Sequence, residues 1–317
     1  MRDNDWTDPR WRAAAHAWVT ARLGEVGTPV TGEIEEFRVR PWSVTHRVPT
    51  GAGVRWFKAN ITGCRYEAGL AEALAGIAPG ATLAPLAVDT DRGWLLTADA
   101  GPTLRSTITA DGRTTTWIAM LQAYSVLQRA TVAHVDRLCA LGVPDQRPSL
   151  LPGLLAGLLD DPSVTADLDP RVPALTGDFA RWCAELAADG VPAAVQHDDL
   201  HDDNVFADLR FFDWGDASVG HPFGTLLVTL NTMHDALDAA DRPATLARLR
   251  DAYLEPWTDL ADLSALRRSA TLACRVTRVS RAMSWQRGLA DAVVPVDERF
   301  RNAPAAWLGE LLEPTTI

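Results

Sequence analysis

Two hydrophobic periods share this chain, and the point where one gives way to the other limits its fold more than any other feature. Between residues 33 and 98, short runs rich in β-branched and aromatic residues (EIEEFRVR, VTHRVPT, VRWFKAN, LAPLAVD and GWLLTA) are separated by Pro41 and by turns at Thr50-Gly51-Ala52-Gly53 and Thr90-Asp91-Arg92-Gly93. Such alternation between turn signals predicts antiparallel hairpins. Two helical patterns accompany them: residues 8–23, with Trp11, Ala15, Trp18 and Leu23 near helical spacing, and residues 64–77, stopped by Pro79-Gly80. The turn-forming sequence Asp99-Ala100-Gly101-Pro102 then marks an internal boundary. Beyond it apolar residues follow helical spacing over 114–141, 148–160, 174–189, 223–239, 243–254, 262–289 and 303–312, interrupted by residues 194–216. The expected fold class is α+β. A small β-rich N-lobe (1–98) would be joined through a hinge (99–104) to a large, mainly helical C-lobe (105–317).

Composition removes several function classes. With 47% hydrophobic and 22% charged residues, the 317-residue chain has the make-up of a soluble globule rather than a disordered one. A formal charge of −11 lacks the basic footprint needed to displace counterions, so no nucleic-acid partner is expected. No apolar run approaches the roughly 18 residues of a membrane span, and no signal peptide is visible, so no membrane partner is expected. Cys64, Cys139, Cys183 and Cys274 are scattered without a CxxC pair, which points to a reducing cytoplasm.

Lys58 is the only lysine in an arginine-rich chain. A compact ammonium and a planar guanidinium differ in a tight site. Lys58 is therefore either a chance survivor or a residue whose role arginine cannot fill.

The densest chemistry lies in VQHDDLHDDNVFADLRFFDWGDASVGHPF. One reading takes His197 and His201, four apart, as zinc ligands on one helix face; it lacks the HExxH glutamate, and the flanks look strand-like. A second reading takes His197, Asp199 and Asn204 as the H-x-D-x-x-x-x-N spacing of a kinase catalytic loop. Asp213, nine residues after Asn204 and followed by Trp-Gly, then stands for the metal-binding aspartate. A loop between short strands can aim one carboxylate at a hydroxyl and present an amide oxygen to a metal. Magnesium prefers few protein oxygens together with phosphate oxygens, which suits an Asn/Asp pair. An acidic surface loop, the third reading, leaves the Phe-Phe run and the histidines unexplained.

VQHDDLHDDNV…FFDWGDA resembles the H-G-D-L-H-x-x-N…D-W signature of the aminoglycoside phosphotransferase family, shared with choline-kinase-like and fructosamine-kinase-like enzymes. The resemblance extends weakly over about residues 30–300, and its specific part is 197–216. It implies a protein-kinase-like two-lobed fold that uses ATP and Mg2+. It further implies that Asp199 is the catalytic aspartate, Asn204 and Asp213 are metal ligands, and His197 and His201 shape the loop. Lys58 would meet phosphate, Glu67 would pair with it, and Thr97 and Asp99 would be the hinge positions whose backbone meets adenine. Three departures stand out. Asp198 replaces a glycine, which makes the loop more acidic or strains a position of positive φ. Asp202-Asp203 replace Pro-Gly, and His221 replaces an aspartate, which would alter the start of a helix. The expected phosphate-covering loop, RPWSVTHRV, has no glycine, so Ser43, Thr45 and backbone N–H groups would do the covering.

The family implies a small-molecule acceptor bearing a hydroxyl; nothing in the sequence fixes an oligomeric state. Acid concentrated in residues 234–262 would suit a cationic acceptor such as an aminoglycoside or amino sugar, or would be solvated helix faces. Trp257 and Trp285 would stack on a sugar or fill the core. Rival readings are a metabolic kinase of choline, homoserine or fructosamine type, a catalytically silent nucleotide-binding member, and a metal-dependent hydrolase.

Overall fold

A computed structural model describes residues 4–109 and 111–315. The first helix, α1 (Pro9–Glu25), is followed by strands β1 (Glu35–Val39), β2 (Ser43–Thr50) and β3 (Gly53–Asn60), then α2 (Glu67–Ile77), β4 (Pro85–Asp89) and β5 (Trp94–Ala98). Helices α3 (Leu104–Thr107), α4 (Arg113–Thr131), α5 (Val135–Ala140), α6 (Leu151–Leu159), α7 (Pro162–Thr165) and α8 (Thr176–Ala187) come next. Two short strands, β6 (Ala194–Gln196) and β7 (Ser218–Gly220), bracket the acid–histidine segment. The chain ends in α9 (Leu226–Ala236), α10 (Arg242–Leu254), α11 (Leu263–Ala290), α12 (Glu298–Arg301) and α13 (Ala303–Gly309). This is the α+β architecture the two periods predict. The sequence reading omits only short pieces such as α3, α7 and α12.

The structure divides into two compact units. One comprises Met1–Gly101, Asp213–Gly215 and Arg287–Arg301; the other comprises Pro102–Phe212, Asp216–Gln286 and Asn302–Ile317. The main division, between Gly101 and Pro102, falls within residues 99–104, and two later segments, Asp213–Gly215 and Arg287–Arg301, also belong to the first unit.

In the first unit the strands form one antiparallel sheet in the order β1-β2-β3-β5-β4. Alternation sorts its side chains by face. Val44, Val48, Phe57, Ala59 and Leu96 join Ala15, Val19 and Leu23 of α1 in a closed core. Each fully buried side chain of this size contributes about 1.5–3 kcal/mol. Asp8 caps α1 by accepting from Arg10 N at 2.8 Å, and Pro9 occupies the first helical position, where no N–H is needed. Asn4 ties this layer together: its Oδ1 accepts from the indole nitrogens of Trp11 (3.2 Å) and Trp94 (3.3 Å). On the opposite face, Lys58 lies across from Thr45 of β2 and Leu95 of β5.

In the second unit, α4 holds the short β6–β7 hairpin from behind. Gln128, fully buried, donates from Nε2 to Val195 O (2.8 Å) and Pro222 O (3.2 Å), and Thr131 Oγ1 accepts from Val195 N (3.0 Å). Tyr253 of α10 completes the knot by donating to Pro222 O at 2.7 Å. Gly224 is required at the hairpin's edge, since a Cβ there would fall 2.1 Å from Thr277 Oγ1 and 2.6 Å from Gln196 Oε1. Trp257 is fully buried and belongs to the core. Among the described residues no cysteine forms a disulfide, and no helix is long and apolar enough to cross a membrane.

His46 sits in the first core at 1% exposure, with its Nδ1 3.2 Å from His16 Nε2. Burial, helped by His16 and Arg12, lowers its pKa from 6.5 to about 4. Between these values the unfolded chain binds the proton and the folded chain does not, so stability falls with falling pH. The contribution of neutral His46 should be complete above pH 6.5 and largely lost near pH 4. Thermal unfolding followed from pH 7 to 4.5 should show a steeper loss in the parent protein than in His46→Met.

Candidate active site

Lys58 reaches the middle of a three-residue ion cluster inside the first unit. Its Nζ lies 2.7 Å from Glu67 Oε2 and 2.5 Å from Asp213 Oδ1. Strand β3 delivers the ammonium, the first turn of α2 delivers Glu67, and the turn after Phe212 delivers Asp213. Asn60 Nδ2 donates to Glu67 Oε2 (2.6 Å) and the Trp214 N–H to Glu67 Oε1 (3.0 Å), so the Glu67 carboxylate, 1% exposed, is fully engaged. Tyr66 donates its hydroxyl to Gly215 O (2.6 Å), fixing the Asp-Trp-Gly turn against α2. Asp213 itself adopts φ 65°, a left-handed conformation uncommon for a non-glycine residue. Burial works against the Lys58 charge, but Asp213 and Glu67 outweigh it and hold its pKa above the ordinary lysine value. Burial pushes Glu67 upward, opposed by Lys58. Arg38 of β1 brings a second cation to 4.0 Å from Asp213 Oδ2.

The second unit carries the loop from His197 to Asn204. Its backbone is not helical, so His197 and His201 do not share a helix face, and the zinc reading loses its geometry. His197, fully buried, donates from Nε2 to Phe212 O at 2.8 Å and so pins the loop to the strand-like return. Thr229 of α9 donates to Leu200 O at 2.9 Å. Asp198 has φ 60° and is 3% exposed; Ser218 of β7 donates to its Oδ2 at 2.5 Å. The left-handed strain anticipated for the glycine replacement is therefore present, and a hydroxyl anchors the added carboxylate. The extra acid of Asp202 and Asp203 is met by Arg105 of α3, at 2.8 and 3.3 Å. His221 takes the capping role of an aspartate: its Nδ1 accepts from Phe223 N at 3.3 Å.

Asp199 is gripped on both oxygens. Arg281 Nη2 of α11 approaches Oδ1 at 3.3 Å, while His201 Nε2 (3.5 Å) and Asn204 Nδ2 (3.4 Å) approach Oδ2. The His201 proton is assigned to Nε2 because Nδ1 accepts from Asp203 N at 3.2 Å. Burial pushes the Asp199 pKa up, but Arg281, then His201 and His197, outweigh it and hold the carboxyl well below the usual range. Asn204 also donates from Nδ2 to Asp199 O at 2.9 Å. That bond orients the amide and leaves its Oδ1 for a cation. An amide oxygen is the kind of single protein ligand Mg2+ accepts, since it keeps most of its oxygens from water and phosphate.

The structure therefore brings Lys58, Glu67 and Asp213 together in one unit, and His197, Asp199, His201 and Asn204 together in the other. Thr45 lies beside Lys58 on the sheet, whereas Ser43 is buried at 6% exposure opposite Asn60. Thr97 lies on β5 opposite Trp56, and Asp99 is exposed, its Oδ1 accepting from Gly101 N at 2.9 Å. Sequence reasoning missed Asn60, Arg38 and Arg281. For Arg281 a signal existed: Cys274, Thr277, Arg278, Arg281 and Ser284 continue the buried stripe of α11, and arginines on such a stripe need carboxylate or carbonyl partners.

A family model described as "Phosphotransferase enzyme family" matches residues 10–267. Among solved structures, the chain is similar to a macrolide 2'-phosphotransferase from Brachybacterium faecium at 17% identity and a TM-score of 0.55, covering 92% of this chain and 97% of that one. It is similar to the GDP complex of an aminoglycoside 2'-phosphotransferase at 13% identity and a TM-score of 0.60, covering 93% and 97%. A choline/ethanolamine kinase family protein from Mesorhizobium loti gives 17% identity and a TM-score of 0.60, covering 94% and 95%. At such identities the likeness carries the fold, the α+β two-lobed kinase-like fold. Among curated proteins, none matches the chain significantly.

Removing one member of a buried ion pair strands the other charge. Lys58→Met should therefore destabilise the protein by about 3–5 kcal/mol, and adding Glu67→Gln should restore much of that loss. Urea unfolding of the single and double variants measures both effects.

Proposed function

The chain belongs to the phosphotransferase enzyme family, and on that footing we propose that it transfers the γ-phosphoryl group of ATP, with Mg2+, to a hydroxyl of a small molecule. The observation that carries this reading is the only lysine of the chain, held at its Nζ between Glu67 and Asp213. An ammonium kept charged in a partly buried site is the compact point charge that suits phosphate oxygens, a role different from that of arginine's larger planar fork.

The roles follow from the groups present. Lys58 faces the phosphates, with Glu67 fixing its position. Asn204 Oδ1 and the Asp213 carboxylate would hold a magnesium ion, which when bound would neutralise charge on the phosphate oxygens. Asp199, ionised at neutral pH, accepts a hydrogen bond from the acceptor hydroxyl and orients it. The hydroxyl oxygen bonds to the γ-phosphorus, the bond to the β-phosphate bridging oxygen breaks, ADP leaves, and the hydroxyl proton passes to Asp199. A carboxylate held below its usual range is a weak base, so the proton moves late and Asp199 acts chiefly through orientation. Ser43 is buried, which leaves Thr45 and backbone N–H groups to cover the phosphates; the backbone at Thr97 and Asp99 meets the adenine.

For the acceptor, two readings divide on one observation. An aminoglycoside- or amino-sugar-like cation would need unpaired carboxylates. In residues 234–262, however, Asp251 pairs with Arg250 and Arg267, Asp259 with Arg129, and Glu255 accepts from Gln122. This pairing removes Asp251 and Asp259 from recognition of a polycation and, at those two positions, favours the second reading, a metabolic hydroxyl compound of the choline, homoserine or fructosamine type. The retained Lys58, Asp199, Asn204 and Asp213 speak against a catalytically silent member, and soluble, cytoplasmic work on a metabolite fits the reading.

Mg-ATP at a hundredfold excess over its dissociation constant should stabilise the protein by roughly 2.7 kcal/mol, read as a rise in melting temperature. Asp199→Ala should keep that shift yet lower turnover in an acceptor screen for ADP release by roughly 10²–10⁴. No shift in the parent protein, or near-parent turnover in the variant, argues against the assignment.

A further inference from the structure

Arg281 is a guanidinium at 6% side-chain exposure on α11, 82 residues beyond Asp199 in sequence. Burial of such a charge is costly unless it is matched by opposite charge. Here the match is double. Nη2 lies 3.3 Å from Asp199 Oδ1, and Nη1 lies 3.8 Å from Asp216 Oδ2, just past the Asp-Trp-Gly turn. Ser284, one turn further along α11, donates its hydroxyl to the other oxygen of Asp216. Trp307 of α13 backs the guanidinium, with its ring centroid 5.7 Å from the Arg281 Cζ.

We infer that Arg281 is the positioning residue for Asp199, a strut from α11 that fixes the plane and direction of the catalytic carboxylate by holding Oδ1, while Asn204 and His201 hold Oδ2. This inference rests on the reading of Asp199 as the group that orients the acceptor. A carboxylate on a loop rotates about two side-chain bonds. Contacts on Oδ2 alone would leave Oδ1 free to swing, whereas a cation fixed on a long helix stops the rotation. The planar fork matters: Nη2 contacts Asp199, while Nη1 faces Asp216 at 3.8 Å as a charge rather than as a hydrogen-bond donor, so the loop and the segment after Asp213 share one cation. A lysine has one nitrogen and reaches only one of them.

The test compares Arg281→Met and Arg281→Lys with the parent chain, using Mg-ATP with water as the phosphoryl acceptor and ADP release as the readout. Misplacing a reacting group by an ångström costs up to about 100-fold. Arg281→Met should lower kcat by about 10- to 100-fold and leave KM for Mg-ATP within about twofold, with Arg281→Lys in between. In an Asp199→Asn background, the Met substitution should have little further effect, because it acts through Asp199. Equal losses in both backgrounds overturn the inference, as does a loss carried wholly by KM. A parent chain that neither binds nor turns over Mg-ATP sinks the phosphotransfer reading instead. Arg281 is then judged by crystal structures: the Asp199 carboxylate rotated in Arg281→Lys relative to the parent supports the inference, and an unmoved carboxylate overturns it.

Discussion

The ammonium of Lys58, shared between Glu67 and Asp213, is the contact on which the rest of the first unit's chemistry depends. It joins three stretches of chain that are distant in sequence: the end of β3, the start of α2 and the turn after Phe212. Glu67 is almost wholly buried, and its two oxygens also receive Asn60 and the Trp214 amide. Such a carboxylate tolerates no vacancy among its partners, so the lysine, the helix start and the Asp-Trp-Gly turn are fixed as a set. Asp213 is the less buried member of the cluster, at 30% side-chain exposure.

The second unit solves a related problem in a different way. Asp199 sits on a loop, and a loop carboxylate needs external references to point anywhere in particular. Those references are a histidine and an amide within the loop and Arg281 from α11. Behind the loop, Gln128 and Thr131 of α4 fasten β6 through backbone groups, so the loop's starting strand cannot drift. The positive φ of Asp198, with its side chain tied to Ser218, shows that the loop keeps its turn without the glycine common at that place.

Much of this was legible in the sequence, for identifiable reasons. Strand and helix periods differ so clearly on either side of Asp99 that the antiparallel hairpins and the helical remainder followed from turn signals and apolar spacing, while the sheet order did not. The lone lysine and the His197–Asp213 spacing drew attention to the residues of both clusters because each proposed role admits few residue types. What stayed hidden depends on tertiary contact. Arg281 reads as one more arginine on an arginine-rich helix until its stripe position is known. The acid of residues 234–262 reads as a cationic-substrate surface, and only the structure shows that Asp251 and Asp259 within it are paired with Arg129, Arg250 and Arg267. Ser43 looks available in a turn-like run, but β2 begins there and buries it. The discontinuous first unit was equally out of reach, because the return of residues 213–215 is set by the ion cluster rather than by any local pattern.

The account's central claim is that Asp213, now paired with Lys58, is the carboxylate that binds magnesium when nucleotide arrives. Isothermal titration of ATP, with and without Mg2+, in the parent chain and in Asp213→Asn, tests it most directly. Magnesium should tighten ATP binding in the parent, and most of that gain should vanish in Asp213→Asn. An equal gain in both proteins, or none in the parent, would contradict the account.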